Sequence, residues 1–262
     1  MIYAFSPEGV ACLAAVLATR PLLAFDIDGT LAPIVPRPDD ARLPDDVQHC
    51  LAGLARHNEV AIITGRSVDD ARRMLAFAPR YLIGNHGAEG LPAWRERSAA
   101  FARTVRAWHD ALDACDGLDA TGVTIEDKRY SLSLHYRLAA IPGDAFRAIH
   151  RCIGALRPPP KVIDGKAVVN VLPPDAPDKG DALRALLGET RCRNALYVGD
   201  DDTDETVFGL HLPSVLTLRV EPAANSEAAL FLRDQREVLT LMQHIAREQA
   251  RVEAPDGREG RA

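Results

Sequence analysis

Two aspartates, Asp26 and Asp28, stand one residue apart in the stretch LLAFDIDGTLAPI, after an apolar run and just before a glycine. Side chains alternate along a strand, so residues 26 and 28 point the same way unless the backbone turns, and two carboxylates that close repel. A positive group is expected between them. A second acidic stretch, YVGDDDTDE, follows another apolar run and offers Asp200, Asp201, Asp202 and Asp204. Oxygen-only donors with no His or Cys beside them suit a hard cation, and a loose octahedral site that keeps waters and accepts a phosphate oxygen suits Mg2+. One carboxylate can attack phosphorus to give an aspartyl-phosphate. A second, as the acid, can protonate the leaving oxygen and then activate water. Lys179, just ahead of a helix, and Thr64, at the end of EVAIIT, would supply charge and a hydrogen bond to the phosphoryl oxygens.

Such residues need strand ends to hold them. The first third of the chain alternates short apolar runs (PLLAFDI, EVAIIT, RYLIGN) with helical patterns (PDDVQHCLAGLARH, SVDDARRMLAF). Uniformly apolar strands between helices predict a parallel sheet covered on both faces. Asp45 and Asp46 suit a first helical turn, and Ser67 suits an N-cap. In a sheet of this kind ligands gather beyond the carboxyl ends of the strands, where Asp26 and Asp28 fall.

From about residue 91 to 174 the pattern changes. YSLSLHYRL alternates apolar Leu132, Leu134 and Tyr136 with polar Ser131, Ser133, His135 and Arg137, as an antiparallel strand with one wet face would. GKAVVNVL reads as another strand, and FARTVRAWHDALDA and GDAFRAIHRCIGAL as helices. Trp94 and Trp108 are expected to pack this α+β insertion. KGDALRALLG, ALYVGD, DETVFGL, SVLTLRV and a helix near Gln235 to Gln249 then return to the earlier alternation. The expected fold is α/β: a doubly wound, Rossmann-like parallel-sheet core over 1–90 and 175–250, an inserted α+β cap over 91–174, and a tail over 251–262.

The totals narrow the function classes. A formal charge of −6 with no long like-charge block gives no tail for nucleic acid or a membrane, so an anionic ligand must be held locally. The five cysteines (Cys12, Cys50, Cys115, Cys152 and Cys192) form no CxxC pair or Cys/His cluster, which argues against a zinc site or a disulfide framework and for a reducing, cytoplasmic compartment. The apolar segment VACLAAVLA carries no preceding basic residue and runs straight into the first strand, so it reads as a packed helix rather than a leader.

In order along the chain, DIDGTLAP, ITGR, Lys179 and GDDDTDE resemble the four motifs of the haloacid dehalogenase superfamily. Taken singly, each has a plainer reading: a solvated surface turn for the aspartates, an exposed helix-start lysine, a strand-end hydroxyl bonded to backbone. Together they point to one site. The resemblance implies Asp26 as nucleophile, Asp28 as acid and base, and Mg2+ held by the Asp26 side chain, the Asp28 carbonyl and Asp200; it leaves open whether Asp201 or Asp204 is also a direct ligand. The insertion's position resembles a C2-type cap. With NHGAE, SLSLHYR and GKAVV, the chain is similar to trehalose-6-phosphate phosphatases.

That family implies a sugar-phosphate substrate contacted by Asp26, Ile27, Asp28, Arg66, His86, Glu126, Lys128, Arg137, Lys166 and Asn170, and a functional link to a trehalose-phosphate synthase. Glu126, Lys128, Arg137 and Lys166 would grip sugar hydroxyls; without the resemblance they read as a solvated sheet edge blunted by charge. Asn170 stands where the family usually has a glutamate. His86 and Glu89 are expected at the mouth of the site, and Arg66 either touches the substrate or pairs with a core carboxylate. Rival readings are another C2-capped phosphatase acting on sucrose 6-phosphate or mannosyl-3-phosphoglycerate, a phosphomutase, and a non-catalytic sugar-phosphate-binding module.

Overall fold

The computed structural model describes residues 1–35, 37, 40–165 and 167–253; Lys166 and the expected tail from 254 onward lie outside them. In chain order the elements are β1 (Ile2–Tyr3), α1 (Pro7–Leu17), β2 (Leu22–Phe25), α2 (Asp45–Leu54), β3 (Val60–Ile63), α3 (Val68–Met74) and β4 (Tyr81–Ile83). Then come α4 (Arg95–Asp113), β5 (Thr124–Asp127), β6 (Leu132–His135), α5 (Pro142–Gly154), β7 (Lys161–Gly165) and β8 (Val168–Leu172). The chain closes with α6 (Lys179–Glu189), β9 (Ala195–Gly199), α7 (Glu205–Phe208), β10 (Val215–Val220), β11 (Leu230–Leu232) and α8 (Glu237–Glu253). Two compact units result, one from residues 1–64, 71–82 and 179 onward, the other from 65–70 and 83–178.

The first unit holds a seven-stranded sheet in the order β1-β11-β10-β9-β2-β3-β4. The pairings from β1 through to β3 are parallel. Because β2, β3 and β9 are buried along their whole length, their side chains are apolar on both faces. Helices supply the cover: Val238, Leu241, Met242 and Ile245 of α8 recur at helical spacing and pack with Leu13 of α1, Leu51 of α2, Leu23 and Ile62. Asp45 and Asp46 do open α2, and Ser67 caps α3 by accepting the Asp70 N–H at 3.1 Å. From β2 the chain winds outward through β3 and β4; from β9 it winds the other way through β10 and β11. The adjacent β2 and β9 therefore mark the point where strand order reverses, and an open α/β sheet presents its ligand crevice beyond the carboxyl ends there.

The second unit is built on a four-stranded antiparallel sheet, β5-β6-β8-β7. Val105, Trp108 and Leu112 of α4, with Ala148, Ile149, Cys152 and Ile153 of α5, pack on Leu132, Leu134, Val169 and Val171 of the sheet. The Trp108 indole N–H still finds an acceptor, the Arg157 carbonyl, at 3.2 Å.

Three expectations need correcting. Cys115 and Cys152 form a disulfide, with Cα atoms 6.1 Å apart, which removes the premise of the compartment argument. Spacing along the chain gave no sign of it because the residues just past α4 and the last turn of α5 meet only once both helices cover the same sheet. Ser131 and Ser133, expected on a wet face, are buried and bonded to Asn85 and Asn170. Helix α8 continues to Glu253, past the residue where a tail was expected to begin. The strands β1, β5, β7 and β11 went unread. No helix among the described residues is long and apolar enough to cross a membrane.

Candidate active site

At the reversal point, the first residue past β2 is Asp26, 4% exposed, whose N–H donates to the Val198 carbonyl of β9 at 2.9 Å. The chain then folds back: the Ile27 carbonyl accepts from Thr30 and Ala32 N–H, and Gly29 N–H donates to the Ala32 carbonyl at 2.8 Å. Gly29 takes a φ of +82°, and a Cβ on it would lie 2.0 Å from Asp200 Oδ2. Only glycine allows this turn and this approach together. The carboxylate of Asp200 is thus packed against the turn that carries Asp26 and Asp28, and Asp28 is half-buried there.

Lys179, the first residue of α6, is buried and reaches Asp26 Oδ2 at 3.1 Å and Asp204 Oδ1 at 2.8 Å. Burial alone would push its ammonium down, but Asp204 and Asp26 hold it well above the ordinary lysine value. Thr64, buried, is the first residue past β3, the strand that pairs with β2.

Asp204 is fully enclosed, and its carboxylate lies so close under β9 that a Cβ on Gly199 would meet Asp204 Cγ at 2.2 Å. Its Oδ1 accepts from Lys179 and from the Tyr197 hydroxyl at 2.6 Å. Its Oδ2 accepts from the Asp200 and Asp201 N–H groups at 2.9 and 3.0 Å. A carboxylate offers about four lone-pair directions, and all are used. Burial pushes the Asp204 carboxyl up, against the pull of Lys179, yet donors on both oxygens make it the acceptor. Asp201 is likewise committed: its Oδ1 accepts the Thr203 N–H and hydroxyl, and its carbonyl the Arg219 guanidinium.

These donors fit a hard divalent cation. Oxygens of Asp26, Asp200 and Asp204 come within 4.8 Å of one another, and a buried Asp26 Oδ1 has no hydrogen-bond partner among the described residues. Burial also pushes the Asp26 carboxyl well above its ordinary value, Lys179 opposing, as expected of an acidic cluster that wants more positive charge than one lysine supplies. With Asp204 saturated, Asp26 and Asp200 are the side chains left to face such an ion.

Apart from Ile27, the remaining sequence-derived positions belong to the second unit. Asn85 and His86 occupy left-handed backbone at φ 51° and 57°, a costly arrangement that neighbours must enforce. Asn85 does so by donating to Glu89 Oε2 and the Lys128 carbonyl while accepting from Ser131. Glu89 also accepts the Val68 N–H at 2.8 Å, so it ties this loop to the start of α3. His86 is buried, Arg66 pairs with Asp70 at 2.6 Å, and the Lys128 ammonium donates to the Gly65 carbonyl.

On β5 and β6, Glu126 accepts from His135 at 2.8 Å, with Lys128 3.8 Å away. Burial would raise the Glu126 carboxyl, but the His135 bond and the Lys128 charge carry it below its ordinary value. Asn170 is buried, and its Oδ1 accepts from Ser133. Arg137 is exposed beyond the end of β6, and Ile27 is a fully buried core side chain. Lys166 lies outside the described residues. Sequence reasoning missed Tyr197, Asn85, Ser131 and His135; only Tyr197, two residues before Gly199 on one strand face, carried a signal that alternation could have used.

The family model described as trehalose-phosphatase matches residues 24–234. An uncharacterised glycosyl hydrolase of Mycobacterium tuberculosis is 35% identical over 204 residues, covering 72% of this chain and 15% of that protein. This chain therefore spans about one seventh of the length of that relative. A probable trehalose-phosphate phosphatase of Sinorhizobium fredii is 33% identical over 215 residues, 79% of this chain and 80% of the relative. In fold, the C-terminal domain of the Candida albicans trehalose-6-phosphate phosphatase superposes with a TM-score of 0.67 at 24% identity, over 90% of this chain and 96% of that one.

Proposed function

Because the chain belongs to the trehalose-phosphatase family, we propose that it hydrolyses trehalose 6-phosphate to trehalose and phosphate, the last step of trehalose synthesis. The observation that carries this is Asp26 itself, buried at the strand-order reversal with Oδ2 on Lys179 and Oδ1 left for a reacting atom. In the first step an Asp26 oxygen attacks phosphorus, the bond from phosphorus to the sugar oxygen breaks, and Asp28 gives its proton to that departing oxygen. In the second, the Asp28 carboxylate takes a proton from water, the water oxygen attacks phosphorus, and phosphate leaves with Asp26 restored. Lys179 and Thr64 hold the phosphoryl oxygens through both steps.

The side chains of Asp26 and Asp200 with the Asp28 carbonyl would hold Mg2+. When bound, that ion offsets the crowded carboxylates and draws charge from the phosphoryl group. Residues 91–174 act as the cap in this reading. Glu126, Lys128, Arg137, Lys166 and Asn170 take the sugar hydroxyls, and Arg66 and His86 complete the substrate contacts. An enzyme that makes trehalose 6-phosphate is the functional partner that supplies the substrate.

Released phosphate, measured with trehalose 6-phosphate, sucrose 6-phosphate and mannosyl-3-phosphoglycerate, each with and without Mg2+, tests the reading. Turnover is expected to be highest on the first and to vanish on chelation. Asp26→Asn is expected to abolish it with the fold intact; a variant retaining a tenth of the parent rate would exclude the covalent route.

A further inference from the structure

The phenol of Tyr197 is the one donor to Asp204 whose role packing does not explain. Its ring is wholly buried in β9 and lies edge-on to Phe208 at 6.1 Å, contacts that a phenylalanine would make equally well. The hydroxyl adds one thing, a 2.6 Å bond to the same Asp204 oxygen that Lys179 approaches at 2.8 Å. Lys179 is in turn shared, because its ammonium also reaches Asp26 at 3.1 Å.

We propose that Tyr197 is a positioning residue: its hydroxyl occupies one lone pair of Asp204 Oδ1, and so keeps Lys179 divided between Asp204 and Asp26 instead of captured by Asp204. The Asp204 carboxylate cannot swing to compensate, since its other oxygen is anchored by two backbone N–H groups. Without the phenol, Oδ1 offers both lone pairs to the ammonium, Nζ slides toward it, and Asp26 loses the charge that faces it. The inference rests on the phosphatase reading for its consequence in turnover, though not for its geometry. A misplaced ammonium costs most where phosphoryl charge is moving, so the loss falls on kcat rather than on substrate affinity.

The test is Tyr197→Phe, assayed on trehalose 6-phosphate and on 4-nitrophenyl phosphate, with crystal structures of parent and variant. The expected result is a kcat about tenfold lower on whichever substrate the parent turns over, with KM within twofold. In the variant crystal, Lys179 Nζ is expected to have moved off Asp26 while the Phe208 contact stays in place. A kcat within twofold of the parent, or an unmoved Lys179, overturns the proposal. A parent active on 4-nitrophenyl phosphate alone would refute the sugar-phosphate reading and leave Tyr197 to be judged on that substrate. If the parent turns over neither, the two crystal structures decide.

Discussion

At the scale of single residues, Lys179 is the keystone, for it is buried between Asp26 and Asp204 and pairs with both. Removing one partner of a buried ion pair typically costs about 3–5 kcal/mol, because a desolvated charge is left behind. Two would be left here. Lys179→Met is therefore expected to lower the thermal midpoint by on the order of 10 °C, and Asp26→Asn combined with it to recover part of that loss. Scanning calorimetry on the parent and the two variants checks both statements. A Lys179→Met midpoint equal to the parent's would mean that the ammonium is not what balances those acids. Residues of this kind were legible in the sequence because their types are unusual beside a buried strand. Tyr197 was not, since a tyrosine inside an apolar run is ordinary core until the carboxylate it touches is known. Asn85 and Ser131 stayed hidden for a related reason: their importance comes from a left-handed loop pair that no local pattern announces.

At the scale of elements, strand β5 with β6 carries the polar face that separates the second unit from plain scaffold. Glu126 sits below its ordinary value there, held by His135 and Lys128 against its own burial. A depressed carboxyl stabilises the fold fully above its unfolded value of 4.5, and that contribution is lost as the pH falls through the lower folded value. Melting measured from pH 6 down to about 3 is expected to fall more steeply for the parent than for Glu126→Gln, which has no charge to lose. Parallel curves would show that the His135 contact contributes nothing to folding. Most helices and the buried parallel strands could be read from hydrophobic spacing, which is strong where one face or two are dry. Strand β1 escaped because it runs only two residues, too short for any period to register. The burial of Ser131 and Ser133 escaped because alternation reports polarity, and a polar side chain that is bonded to an asparagine can be as dry as a leucine.

At the scale of the whole molecule, the chain divides into two compact units, and among the described residues the disulfide belongs to the second of them. Closing a loop over a sequence separation of 37 is worth roughly 2–4 kcal/mol. Calorimetry is expected to resolve two transitions, of which a reducing agent moves one. Thiol titration of the unfolded, unreduced protein is expected to count Cys12, Cys50 and Cys192 only. All five cysteines reacting would remove the link.

The order in which the first core is written has a different consequence. Strands β2 and β9 lie side by side, yet the entire second unit is encoded between them. During translation, the edge of β2 that will pair with β9 leaves the ribosome long before its neighbour does. It must wait with its peptide groups open to any passing strand, so early synthesis is when this edge is most exposed to mispairing.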